Sequence, residues 1–172
     1  MKKELMFCLG ALIFVSFIIN VSALRIFVTN SSYNGNLGGT TGADQLCMND
    51  ANKPNNLTYK ALIGTLNRSI SGSDWVLKAN TTYTRVNTSI IIKVTNSQKW
   101  FTFNLNNSIA NYSKDIWTGL SENGTVSSFN CNNWRNTTYD GMIGKSLRVN
   151  SESIEYVEKS CSILRNLYCV EQ

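Results

Sequence analysis

Histidine is absent from the whole 172-residue sequence. This absence excludes Ser–His and Cys–His nucleophile pairs, and it removes the imidazole ligand that most transition-metal sites use. The acidic residues are few and scattered, and no local pattern brings two carboxylates to one cleft, as a glycosidase requires. We therefore expect a protein that is not an enzyme and that binds no metal ion or other cofactor.

Runs of like charge are also lacking, although the net charge is +5. A mildly basic chain without a basic run gives little support to nucleic-acid binding. Basic residues are nevertheless most frequent in the last third of the chain. They are Arg135, Lys145, Arg148, Lys159 and Arg165. Together they could form a patch for a polyanion such as a sulfated glycan, and the alternative is an ordinary solvated surface.

The longest apolar run, Leu5–Ile19, is too short for a membrane span of about 20 residues. It follows a basic start and precedes the small residues of Val21-Ser22-Ala23, a combination typical of a secretory signal peptide. We predict that residues 1–23 are a signal peptide and that residues 24–172 form one exported domain, secreted, at the cell surface or in the periplasm. An uncleaved membrane anchor is the alternative.

Four of the five cysteines remain after this cleavage, because Cys8 lies inside the apolar run. The others are Cys47, Cys131, Cys161 and Cys169. An even number of cysteines in an exported domain predicts two disulfides, for which three pairings are open. None of them has the C-x-x-C spacing of a zinc site.

The mature sequence begins with a β-rich segment, Leu24–Thr29, and continues into one helix. Thr41 is the predicted helix cap, with Asp44 in the first turn and Cys47 on the buried face. The helix should end before Pro54, the only proline in the sequence.

Mostly strands and loops are predicted after this helix, with a turn at Asn123-Gly124. The pattern therefore favours an α+β domain with long loops. The predicted strands are Tyr59–Ile63, Ile90–Val94, Phe101–Leu105, Ile116–Leu120 and Leu167–Val170.

Several short segments, in this order and together with all four cysteines, resemble those of a known family. They include Phe27-Val28-Thr29, Asn36-Leu37-Gly38-Gly39, Gly42-Ala43-Asp44, Tyr59-Lys60-Ala61-Leu62, Trp117-Thr118-Gly119-Leu120, Cys131-Asn132-Asn133-Trp134 and Leu167-Tyr168-Cys169-Val170. The chain is similar to C-type-lectin-like, endostatin-like domains, and most closely to the bacterial domains known from leptospiral endostatin-like surface proteins.

The resemblance implies an α+β C-type-lectin-like fold with the disulfides Cys47–Cys169 and Cys131–Cys161. The chain departs from the sugar-binding members at their calcium ligands. It lacks their carboxylate–proline–amide triplet, and Asn132-Asn133-Trp134 stands where they have Trp-Asn-Asp. Because calcium prefers several oxygen ligands that include carboxylates, calcium-dependent sugar binding is not expected.

The resemblance also implies a non-catalytic adhesin that binds host extracellular-matrix or serum proteins or sulfated glycans. A structural role in the cell envelope and calcium-independent carbohydrate binding are the alternatives. The candidate ligand-binding residues are Trp134, Arg135, Lys145, Arg148 and Arg165. For Trp134, a place in the hydrophobic core is the competing interpretation.

Overall fold

The computed structural model describes residues 23–172, so the predicted signal peptide, apart from Ala23, lies outside the described residues. Within that range no helix is long and apolar enough to cross a membrane. The strands are β1 (Leu24–Val28), β2 (Tyr59–Ala61), β3 (Thr82–Arg85), β4 (Ile91–Val94), β5 (Asp115–Trp117), β6 (Asp140–Lys145), β7 (Val157–Ser160) and β8 (Asn166–Glu171). The helices are α1 (Gly39–Asn49) and α2 (Cys131–Trp134), with a 3-10 turn at Ser151–Ser153.

The strands form one mixed sheet in the order β4-β3-β1-β8-β5-β6-β7, and β2 also pairs with β8. Strand β8 is buried along its whole length and lies antiparallel to β1, with Phe27 opposite Cys169. Its other edge pairs with β5 in parallel and with β2 in antiparallel orientation. Apolar side chains cover both faces of the sheet and form two core clusters, one that includes Ile26 and Val28 and one that includes Phe27 and Trp117.

The α+β class predicted for the expected C-type-lectin-like fold is wrong. Eight strands and a single helix of 11 residues make the described chain mostly β. Three of the strands, β3, β6 and β7, were not predicted from the sequence. Strand β6 contains two glycines because its neighbours approach closely: a Cβ on Gly141 would lie 2.7 Å from Cys131 Sγ.

Both disulfides that the resemblance implied are confirmed. Cys47 on α1 bonds to Cys169 on β8, and Cys131 bonds to Cys161, with Cα–Cα distances of 5.6 and 5.7 Å. Disulfides of this kind are typical of proteins from oxidising compartments.

Two local predictions are wrong. Thr41 is not the helix cap, because helix α1 begins at Gly39 and is preceded by Gly38 in a left-handed conformation. Asp44 lies beyond the first turn and accepts a hydrogen bond from the Ala61 N–H at 2.8 Å. Phe101–Leu105 is irregular, because its backbone bonds reach different segments; Leu105 N–H, for example, donates to the Val149 carbonyl. The apolar side chains of Phe101, Phe103 and Leu105 still pack in the core, which explains why apolar and polar residues alternate in this segment.

Candidate functional site

The short helical turn α2 is left-handed. Cys131, Asn132, Asn133 and Trp134 have φ angles between 52° and 63°. Only glycine, and to a lesser degree asparagine, adopts this conformation without a substantial steric cost, which is about 1–2 kcal/mol for other residues. Four such residues in succession persist only where the surrounding structure holds them, and strained segments of this kind concentrate at binding and catalytic sites.

Three contacts hold the turn. The Trp134 indole is fully buried, packs on Trp117 with ring centroids 5.9 Å apart, and donates from Nε1 to the Gly64 carbonyl at 2.9 Å. Asn130 Oδ1 accepts from the Asn133 N–H at 2.9 Å. The Cys131–Cys161 disulfide ties the start of the turn to the segment after β7. The turn is therefore a rigid surface element that is linked directly to the chain at Gly64.

The loop that follows Gly64 is held in place by the buried side chain of Arg68, which is 1% exposed. Its guanidinium donates to both Asp44 oxygens, at 2.6 and 2.7 Å, and from Nε to Asp74 Oδ2 at 2.9 Å. Burial alone would lower the pKa of Arg68, but the hydrogen bonds and charges of the two aspartates outweigh it and raise that pKa. Lys60 also bonds Asp74, so helix α1, strand β2 and the loop are joined by one charge network.

These two rigid segments form one groove, which we call the Leu66 groove, with a volume of about 250 Å³. Leu66 is 80% exposed, more than any other large apolar residue described. The Arg135 guanidinium lies against the backbone of Gly39, where a Cβ would come within 2.8 Å of Nη2. None of the described residues that line the groove is acidic. The groove is lined by Gly39, Thr40, Thr65, Leu66, Asn67, Asn133 and Arg135.

Arg135 is the predicted ligand-binding residue that the structure places in this groove. Its guanidinium is exposed and forms no ion pair or side-chain hydrogen bond with the described residues. Trp134, also predicted to bind ligand, lies in the core, so its role in the groove is to position Asn133 and Arg135.

The other predicted basic residues lie outside the groove. Lys145 and Arg165 come together on one carboxylate, Asp115, at 2.6 and 3.3 Å. Lys145 Nζ also lies 4.9 Å above the Tyr156 ring. Arg148 is exposed and pairs with Glu152 at 3.2 Å. Each of these three residues therefore has an acidic partner, which Lys145 and Arg165 share, whereas Arg135 has none among the described residues.

Leu66 and Arg68 were not predicted from the sequence. Both lie in a serine-rich loop, Thr65–Ser73. The one signal for Leu66 was that it stands between two polar residues, Thr65 and Asn67. Arg68 gave no signal, because its aspartate partners come from positions 24 residues before it and 6 residues after it.

A second groove lies on the other side of the left-handed turn and has a volume of about 450 Å³. Phe129 and Tyr139 are exposed at its edge. Polar side chains supply the remaining wall, and they include Asn130, Asn132, Thr138 and Asp140. The turn thus projects Asn132 toward one groove and Asn133 toward the other.

Residues 30–150 match a protein family described as "Protein of unknown function (DUF1554)". The matched range includes both walls of the Leu66 groove. No curated protein matches the chain.

Proposed function

The chain belongs to the DUF1554 family, and we propose that it is an exported, non-catalytic binding module that adheres to host extracellular-matrix or serum proteins through the Leu66 groove. The observation that carries the proposal is the convergence of Leu66 and Arg135 from two independently fixed segments. Arginine is enriched at the energetic centres of protein interfaces, and the exposed apolar surface of Leu66 adds area that a partner would gain free energy by burying. The resemblance to bacterial surface proteins supports the same function.

Rigidity supports this proposal for a physical reason. Binding costs free energy when flexible side chains and loops become ordered, and a surface that is already fixed avoids much of that cost. Arg68 fixes the loop that carries Leu66, and Trp134 fixes the turn that carries Arg135. A partner would then have to order little more than the two exposed side chains.

The charge of the groove indicates the kind of partner. Among residues 23–172, Arg135 is the only charged residue in its lining. Acidic protein surfaces and sulfated glycans are both abundant in the extracellular matrix, and an exposed charge contributes more to association at low salt than at physiological salt.

The direct test is to measure binding of the disulfide-bonded domain to laminin, fibronectin and heparin at low and physiological salt. We expect Leu66→Ser to weaken protein binding and Arg135→Glu to weaken both protein and heparin binding. Leu164→Ser and Lys78→Glu are matched controls, since both residues are exposed and neither lines the groove. Arg148→Glu tests whether the wider basic region takes part.

Three outcomes separate the alternatives. Equal effects of the groove and control variants would remove the Leu66 groove as the binding surface. Heparin binding without protein binding would favour a sulfated glycan as the ligand. No binding to any of the three at micromolar protein would favour a structural role in the cell envelope.

Calcium-independent carbohydrate binding is a second candidate, and the Phe129–Tyr139 groove favours it. Exposed aromatic rings can stack on a sugar while amide and carboxylate side chains bond its hydroxyls. A glycan array with and without a calcium chelator, repeated with Tyr139→Ser, tests this candidate. Binding that is unaffected by Tyr139→Ser would exclude the groove.

A further inference from the structure

An apolar cup lies on a different part of the surface and has a volume of about 530 Å³, within the range of small-molecule sites. Trp100 holds its two walls together. The indole Nε1 donates to the Glu122 carbonyl at 2.6 Å, and Ile70 N–H donates to the Gly124 carbonyl at 3.1 Å. A Cβ at Gly124 would lie 3.0 Å from the Trp100 ring, so glycine allows the walls to approach this closely. The cup is lined by Ile70, Ser71, Asn96, Gln98, Lys99, Trp100 and Asn123.

The side-chain amide oxygens around the rim already accept hydrogen bonds from groups of the same loops. Asn96 Oδ1 accepts from the N–H groups of Gln98 and Trp100, both at 3.0 Å. Gln98 Oε1 accepts from Asn96 Nδ2 at 3.2 Å, and Asn123 Oδ1 accepts from the Thr125 hydroxyl at 2.7 Å. The amide groups that have no partner among residues 23–172 are donors, Gln98 Nε2 and Asn123 Nδ2.

Lys99 adds a positive charge to this rim of donors. Its backbone is fixed in the left-handed region, with φ 63°, because its carbonyl accepts from Trp75 Nε1 at 3.0 Å. The side chain is exposed and forms no ion pair with any described residue. In the described part of the chain, no residue lining the cup is acidic.

We propose that this cup binds a small amphipathic anion, with the apolar body of the ligand against Ile70 and Trp100 and its carboxylate or sulfonate at Lys99, Gln98 and Asn123. Donors without acceptors and a cation without a counter-ion are complementary to an anionic head group. The apolar floor gains free energy by excluding water from the rest of the ligand. The site is separate from the Leu66 groove and does not depend on adhesion.

The test compares two fluorescent probes that differ by one anionic group, 8-anilinonaphthalene-1-sulfonate and its neutral analogue N-phenyl-1-naphthylamine. Ser71→Phe should fill the cup and abolish binding of both probes. Ser73→Phe is the matched control, because Ser73 is exposed on the same loop but does not line the cup. Lys99→Gln should weaken sulfonate binding roughly tenfold and the neutral probe less than twofold, since only the sulfonate loses a charge-assisted hydrogen bond. Lys78→Gln should change neither.

Unchanged far-ultraviolet circular dichroism and melting temperature must first show that each variant is folded. The proposal is overturned if the sulfonate probe does not bind, if Ser71→Phe and Ser73→Phe behave alike, or if Lys99→Gln weakens both probes equally. Loss of binding in Ser71→Phe alone, together with selective loss of the sulfonate probe in Lys99→Gln, supports both parts of the assignment.

Discussion

At the scale of single residues, two arginines that both form ion pairs should differ greatly in their contribution to stability. The Arg68 side chain is 1% exposed, whereas that of Arg148 is 63% exposed. We expect Arg68→Met to lower the free energy of unfolding by about 3–5 kcal/mol, because Asp44 loses its cationic partner and Asp74 keeps only Lys60. Arg148→Met should cost less than about 1 kcal/mol. Urea denaturation of both variants measures the difference, and similar losses would contradict the central role of Arg68.

The ionisation of Tyr59 should make the free energy of unfolding depend on pH in the alkaline range. Burial, followed by the negative charge of Glu171, raises the pKa of Tyr59 to about 12. The folded state holds the phenolic proton of Tyr59 more tightly than the unfolded chain, whose tyrosines titrate near pH 10. The resulting contribution to the free energy of unfolding is therefore complete below about pH 10 and is lost as the pH rises to about 12.

Tyr59→Phe should therefore reduce the fall in unfolding free energy between about pH 10 and 12 by about 2–3 kcal/mol. The measurement is denaturant unfolding at several pH values in this window, with Tyr139→Phe as an exposed control. An unchanged slope in Tyr59→Phe would mean that the phenol titrates alike in the two states.

At the scale of secondary-structure elements, the left-handed turn α2 allows a test of backbone conformation without a change in packing. Asn132 is exposed and has φ 52°. We expect Asn132→Val to lower the free energy of unfolding by about 1–2 kcal/mol, because a β-branched side chain is strained in this region. Asn132→Gly should leave stability nearly unchanged, since glycine adopts positive φ freely. Equal stability of the two variants, measured by thermal unfolding, would argue against a left-handed turn in solution.

The sequence predicted the elements whose local patterns agree with their surroundings. The predictions around β1, α1, β4 and β8 are confirmed to within a few residues, because the three strands are short runs rich in apolar and β-branched residues and the apolar residues of α1 recur at helical spacing. Strand β7 was missed, since its exposed Glu158 and Lys159 hide any apolar pattern. Strand β6 was missed because Gly141 and Gly144 are required by close neighbours rather than favoured by strand propensity.

Only part of the candidate site could be predicted from the sequence, because the fold brings together residues that are far apart along the chain. Arg135 could be named from the sequence because it is one of the basic residues that are most frequent in the last third of the chain. Its neighbours Gly39 and Leu66 are far away along the chain, and only the fold brings them to one groove. The burial of Trp134 likewise depends on Gly64 and Trp117, which are remote in sequence.

At the scale of the whole molecule, the two disulfides should contribute unequally to stability. Their sequence separations are 122 residues for Cys47–Cys169 and 30 for Cys131–Cys161. Loop-closure entropy alone gives about 5 and about 3.5 kcal/mol, respectively. We expect the Cys47→Ala/Cys169→Ala double variant to lose about 1 kcal/mol more than the Cys131→Ala/Cys161→Ala variant, as measured by urea denaturation. The reverse order would show that packing around Cys131 outweighs chain entropy.

The arrangement of β1, β8 and the Cys47–Cys169 bridge also determines how the domain would respond to tension. Since Ile26 lies opposite Val170 in antiparallel strands, a force on Leu24 and Gln172 would separate β1 from β8 one hydrogen bond at a time. The covalent bridge would then stop the extension, because only the segments outside residues 47–169 can lengthen. These segments contain roughly 26 residues and would reach a length of about 90 Å when fully extended. Beyond that length the load would pass through the disulfide, and Leu66 and Arg135 would remain inside the closed loop.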